Sequence, residues 1–132
     1  MTDIEETIKA FAALHIEIMF TELDLSVLPN PWDGNSAEVN KTARGSEKMN
    51  PYPNGLPDSV QHLQSRAYAD LFRLFLKYKQ NVSRVTFWGV NDGQSWLNNW
   101  PIRGRTNYPL LFDRNFQPKP AFYSVIATEN EK

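Results

Sequence analysis

Two short apolar segments, joined by a loop and a long amphipathic helix, restrict the fold of this chain most strongly. In the first segment, Ile16, Ile18 and Phe20 alternate with Glu17 and Met19 before the run Thr-Glu-Leu-Asp, and the second spans residues 84–90. Both patterns predict strands. Because a helix lies between them in the sequence, we expect the two strands to be parallel neighbours with a right-handed crossover.

Three helices are predicted around these strands. A capping box of Thr2 and Glu5 precedes a helix over residues 3–13, and an apolar stripe predicts a second helix from Asp58 to about residue 79. A third, short helix starts near Lys119 and Pro120. Residues 29–57, rich in proline and glycine, are expected to form a long loop without regular structure.

Polar residues follow both predicted strands. Glu22 and Asp24 stand at the end of the first strand, and we expect them to point to the same side because side chains alternate along a strand. Trp96 and Trp100 follow the second strand within a loop of asparagine, aspartate, glycine and serine. Flat rings beside amides and carboxylates suit sugars, and (β/α)8 barrels carry their chemistry at this end of their strands. The pattern therefore favours a sugar site on a barrel rim.

The chain has 132 residues, whereas a whole barrel needs about 250. Two explanations fit: a small open α/β sheet, or one portion of a barrel. The sequence starts directly in a predicted helix, and two strands alone would leave open edges that proteins normally cover. We therefore favour the portion of a barrel.

Composition excludes several classes of partner. A net charge of -1 and an isoelectric point near 6.1 give no reason to expect nucleic acid or an anionic membrane. The sequence has no cysteine, and His15 and His62 lie far apart, so we expect neither a metal site nor a cofactor. Residues 1–15 carry charged side chains at helical spacing, so they predict neither a signal peptide nor a membrane span.

Several blocks of the sequence resemble one enzyme family. They are FTELDL at residues 20–25, RVTFWGVNDGQSWL at 84–97, PLLFD at 109–113 and KPAF at 119–122. Their order and spacing resemble the retaining endo-β-1,4-xylanases of glycoside hydrolase family 10. The resemblance covers residues 1–132 as the C-terminal part of a single catalytic domain. It implies roughly strands seven and eight, with flanking helices, of a (β/α)8 barrel.

The resemblance also implies roles for individual residues. Glu22 matches the nucleophile, and Asp24 matches an aspartate that supports the site through a hydrogen-bonded network with a histidine of the sixth strand. Trp88 and Trp96 match the tryptophans that wall the subsite of the cleaved sugar, although core packing is a second interpretation for Trp88 because of its position in the predicted strand. Retaining glycosidases need two carboxyl groups about 5–5.5 Å apart. In the family the acid/base glutamate follows the fourth strand, which this chain does not contain.

The implied activity is hydrolysis of internal β-1,4 linkages in xylan, without a cofactor. We expect the isolated chain to be inactive and to seek the rest of a barrel, or another copy of itself, as partner. The alternatives are a non-catalytic xylan-binding fragment that uses the same tryptophans, and an inert truncation product. The resemblance implies an extracellular or periplasmic location. Arg103 and Arg105, which either contact substrate or order their loop, and residues 30–57 receive no assigned role.

Overall fold

The structure, a computed structural model, describes residues 2–32 and 41–131. Its helices and strands are, in chain order, α1 (Thr2–Ala13), β1 (Ile18–Leu23), α2 (Asp58–Lys77), β2 (Val82–Phe87) and α3 (Pro120–Ala127). The predicted long loop contains a 3₁₀ turn at Glu47–Met49, and its residues 33–40 lie outside the described residues. All five predicted elements are therefore present in the predicted order.

The two strands pair in parallel, which confirms the parallel pairing predicted from the sequence. The predicted end of β2 at residue 90 is wrong, because the strand stops at Phe87. Only the Trp88 backbone N–H continues the pairing, donating to the Leu23 carbonyl at 3.0 Å. Gly89 follows with a φ of 143°, a conformation that extended pairing does not tolerate. The chain therefore leaves the sheet at this glycine.

Near its C-terminal end, between Phe20 and Leu23, strand β1 contains one residue more than the facing part of β2. Phe20 pairs with Val85 and Leu23 with Phe87, so three steps along β1 match two along β2. Uninterrupted alternation would have placed Glu22 on the inward face that Phe20 occupies. The extra residue instead leaves Glu22 exposed and directs Leu23 towards the core.

The main core lies between α2 and one face of the strand pair, and α1 closes it. Its buried members are Ile8 of α1, Leu71, Leu74 and Phe75 of α2, and Val82 of β2. The rings of Phe20 and Phe75 lie 4.5 Å apart between their centroids and join β1 to α2. Burial of such side chains stabilises by roughly 1.5–3 kcal/mol each, so this cluster fixes the sheet on α2.

The first half of α2 also holds the segment that precedes α3. Tyr68, fully buried, packs with Leu111 and Ala121, and its hydroxyl donates to the Pro109 carbonyl. Gln64 donates through Nε2 to the carbonyl of Tyr108 and, at 3.0 Å, to that of Leu25 just after β1. Helix α2 thus positions both the segment that follows β1 and the segment that precedes α3.

Candidate active site

Glu22 stands at the C-terminal end of β1 with an exposed side chain. Because β1 and β2 are parallel, the loop that follows β2 emerges at the same end of the sheet. An exposed carboxylate at the carboxyl ends of parallel strands is placed where barrel enzymes carry catalytic groups. The assignment of Glu22 as the nucleophile is a prediction from the family resemblance.

Asp24 lies just beyond β1, half-buried, and receives a hydrogen bond from the second loop. The indole Nε1 of Trp96 donates to its Oδ2 at 2.9 Å. Burial raises the pKa of Asp24 above its usual range and the charge of Glu22 raises it further, whereas the bond from Trp96 lowers it. The structure therefore brings Asp24 and Trp96 together, and the charge of Glu22 acts on Asp24.

Trp96 belongs to a group of three tryptophans that bridges the two loops. Its ring stacks on Trp100, with centroids 4.8 Å apart and planes 16° apart. Trp100 in turn contacts Trp32, from the loop after β1, with centroids 5.6 Å apart. The sequence pattern singled out Trp100, with Trp96, as a ring suited to sugars, but it gave Trp32 no role. Trp100 thus supports one face of the Trp96 ring.

Trp88 is 48% exposed, and β2 ends one residue before it. The interpretation of Trp88 as a core residue, which depended on a strand reaching residue 90, is therefore wrong. Trp96 is 37% exposed. Both predicted sugar-contacting rings are accessible to a ligand at the end of the strand pair.

Two successive 3₁₀ turns, Asp92–Gln94 and Trp96–Asn98, shape the loop after β2. Asn91 begins the first turn and its side-chain oxygen accepts the Gly93 N–H at 2.9 Å. Ser95 begins the second and accepts the Leu97 N–H through its hydroxyl at 3.2 Å. These capping bonds explain the loop sequence locally. Asn91 is therefore a buried cap.

Two asparagines connect this loop to the rest of the site. Asn98 donates through Nδ2 to the Asp92 carbonyl at 2.8 Å, and its Oδ1 accepts the Asn107 backbone N–H at 2.9 Å. Asn107 is completely buried, and its Oδ1 accepts the hydroxyl of Ser26 at 3.1 Å. The sequence offered no signal for Asn107, because its partners are distant along the chain. Together these bonds tie the loop after β2 to the segment after β1.

Arg105 orders the loops instead of facing a ligand. It is 5% exposed and donates through Nη1 to the Pro29 carbonyl at 2.9 Å, which ties it to the loop after β1. Burial lowers the pKa of its guanidinium. Of the two roles the sequence left open for Arg105, the structure supports the ordering of its loop. Arg103 is exposed.

Neither histidine lies in the loops that follow β1 and β2. His15 follows α1, His62 lies in α2, and both are exposed. Within residues 2–32 and 41–131, no three His, Asp or Glu side chains are grouped so that they could hold a metal ion. Over the same residues, no helix has both the length and the apolar character that crossing a membrane requires.

The sequence profile described as glycosyl hydrolase family 10 matches residues 1–128. The chain belongs to this family. The resemblance seen in the sequence is thereby confirmed, as is the fold class: family 10 domains are (β/α)8 barrels, and this chain corresponds to a C-terminal part of one. The parallel pair β1–β2 and its flanking helices match that assignment.

Several known proteins are similar over nearly all of the chain. Endo-1,4-beta-xylanase A of Xylanibacter ruminicola is 44% identical over 126 residues, which cover 96% of this chain and 34% of the relative. A solved endoxylanase retrieved from a sugarcane soil metagenome has a TM-score of 0.92 at 42% identity, covering 96% of this chain and 36% of that structure. A solved mutant in complex with xylotriose has a TM-score of 0.73 at 31% identity, covering 95% and 33%. The chain thus spans about a third of each of these three proteins.

Proposed function

We propose that this chain supplies the nucleophile, Glu22, of a retaining endo-1,4-β-xylanase. The observation that supports this most strongly is the exposed carboxylate of Glu22 at the end of β1. Two residues further on, Asp24 accepts a hydrogen bond from the Trp96 indole. The printed names of the similar proteins, which include endo-1,4-beta-xylanases, support the same reaction. Family membership places the chain among glycoside hydrolases.

In the proposed reaction, Glu22 attacks the anomeric carbon and the glycosidic bond to the leaving sugar breaks. A second carboxyl group, about 5–5.5 Å away, first protonates the leaving oxygen and then removes a proton from the water that releases the sugar. That acid/base group is supplied by the preceding part of the barrel, as the family resemblance implies. We therefore propose that the 132-residue chain alone is inactive and that its partner is the rest of a barrel or, in its absence, another copy.

The proposed substrate is xylan or a xylo-oligosaccharide, met outside the cell or in the periplasm. The exposed rings of Trp88 and Trp96 offer apolar faces to the C–H faces of a sugar, and the complex of a similar structure with xylotriose supports this class of ligand. Asp24 supports the site from one side, because it accepts the Trp96 indole N–H. No step of this reaction requires a cofactor.

The test supplies the preceding barrel segment by fusing this chain to the corresponding part of a relative. Activity on xylan should appear, and Glu22→Ala should lower turnover by on the order of 10⁴- to 10⁶-fold, as loss of a nucleophile does in other enzymes with covalent intermediates. Azide should then partly restore turnover of a substrate with an activated leaving group and yield an α-glycosyl azide. Asp24→Asn should lower turnover less and gain nothing from azide.

Near-normal turnover in Glu22→Ala, or azide rescue of Asp24→Ala, would show that the wrong carboxylate is named. The alternative of a non-catalytic xylan-binding fragment predicts binding of xylo-oligosaccharides that survives Glu22→Ala while the fused barrel never becomes active. The alternative of an inert product predicts neither binding nor activity. For the isolated chain, release of reducing sugar above that of its Glu22→Ala variant would contradict the proposed inactivity.

A further inference from the structure

A buried ion pair lies where the loop after β2 leaves the sheet. Asp92 is completely buried and Lys119, at the start of α3, is 6% exposed. The Lys119 Nζ donates to Asp92 Oδ2 at 3.0 Å and to the carbonyls of Tyr108 and Leu110 at 2.8 Å each. Asp92 Oδ1 accepts the Leu110 N–H at 2.8 Å. All three protons of the ammonium group and both oxygens of the carboxylate are thus engaged.

Such a pair costs free energy to bury. Burial raises the pKa of Asp92 and lowers that of Lys119, and the attraction between the two charges opposes both shifts. A buried ion pair is generally no more stabilising than well-packed apolar side chains of the same volume. The hydrogen bonds of this pair, however, hold three separate segments in one geometry: the loop after β2, the segment at Leu110, and the start of α3.

The backbone of Asp92 also makes hydrogen bonds that hold the loop after β2. Its backbone N–H donates to the Phe112 carbonyl at 3.0 Å, and its carbonyl accepts the Asn98 side chain at 2.8 Å. Trp96 lies between Asp92 and Asn98 and donates to Asp24. The position of the Trp96 indole therefore depends on Asp92, which lies four residues earlier and is completely buried.

We propose that the Asp92–Lys119 pair is a positioning device that holds the Trp96 indole on Asp24 beside Glu22. Both side chains are buried, and both act through the loop. The inference rests on the proposed function, since it treats this rim as the place of reaction. Its test reads the hydrogen bond and not turnover, so the positioning role and the nucleophile assignment can fail independently.

The test uses the whole 132-residue chain with ¹⁵N-labelled tryptophan. Each of the four indole N–H signals is assigned by a Trp→Phe variant, and Asp24→Ala defines where the Trp96 signal lies when its acceptor is removed. Asp92→Asn and Lys119→Met should each move the Trp96 signal towards that position. The matched control is Val82→Ala: Val82 pairs with Ile18 at the far end of the strand pair, so this change lowers stability without touching the loop.

The double variant Asp92→Asn/Lys119→Met covers the case in which a single variant fails to fold. Removing both charges avoids an unpaired buried ion, so this variant should be more stable than either single variant, whereas its Trp96 signal should still be displaced. An unmoved Trp96 signal in the double variant overturns the proposal. So does an equal displacement in Val82→Ala, or a Trp96 signal that already coincides with that of Asp24→Ala in the unsubstituted chain.

Discussion

Replacing Trp96 by phenylalanine should destabilise the chain more at neutral pH than in acid. The variant keeps an aromatic ring to stack on Trp100 but removes the indole N–H that donates to Asp24 at 2.9 Å. That bond stabilises the ionised carboxylate, which is why it lowers the pKa of Asp24 against the larger effect of burial. Burial keeps the pKa of the folded Asp24 above the ordinary value of 3.8, so the contribution is present only above that raised pKa and is lost as the pH falls through it.

The magnitude follows from the geometry. Hydrogen bonds to charged groups contribute about 1.5–3 kcal/mol. Trp96 is 37% exposed and Asp24 is half-buried, so water competes for both partners. Solvent screening reduces the expected pH-dependent loss to about 1 kcal/mol. The smaller ring removes some apolar contact as well, but that loss is the same at every pH.

The assay is urea unfolding followed by circular dichroism, at neutral pH and well below pH 3.8. Comparing the loss in Trp96→Phe at the two pH values isolates the bond to Asp24, because contributions common to both proteins cancel. Trp88→Phe is the control, since Trp88 is also an exposed tryptophan at this rim. An equal loss at both pH values, or the same pH dependence in Trp88→Phe, would refute the reasoning.

Two further predictions concern pH. Burial, and to a smaller extent the charge of Glu22, raise the pKa of Asp24 on folding, so the ionised form of Asp24 opposes folding. This cost is absent below pH 3.8 and develops as the pH rises above that value. Asp24→Asn should therefore have a higher urea midpoint than the unsubstituted chain at neutral pH and an equal one in acid. The bonds from Lys77 and then Tyr78, each 2.7 Å, lower the pKa of Glu5 from 4.5 to about 2, so its stabilising contribution is complete above 4.5 and lost towards 2. Glu5→Gln should therefore unfold with a flatter pH dependence between those values; an unchanged acid limb would contradict the role of this contact between α1 and α2.

Much of the fold could be predicted because it follows local periodicity. The apolar spacing of α2 and the alternation of β1 depend on neighbouring residues, and a helix between two strands is sufficient to predict parallel pairing. The end of β2 was predicted three residues too late because Gly89 was taken as a strand residue. The extra residue in β1 escaped prediction because alternation alone contains no information about the partner strand.

The site was predicted only as far as single residues. The motif drew attention to Glu22, Asp24, Trp88 and Trp96, and the accessible positions of Glu22 and both tryptophans agree with the roles proposed for them. The bond from Trp96 to Asp24 crosses 72 positions of sequence, and the pair Asp92–Lys119 crosses 27. No periodic pattern connects residues so far apart. These contacts depend on how the complete fold brings distant segments of the chain together.

The hydrogen bond between Ser26 and Asn107 has a consequence for the order in which the chain folds. It joins residues 81 positions apart, whereas α2 and β2 are separated only by residues 78–81. Closing a long loop costs conformational entropy, and contacts between distant residues form slowly for that reason. We expect α2 and β2 to meet early and the loops around Glu22 to close late. The edge of the molecule that carries the proposed chemistry would then be the last part to be assembled in time.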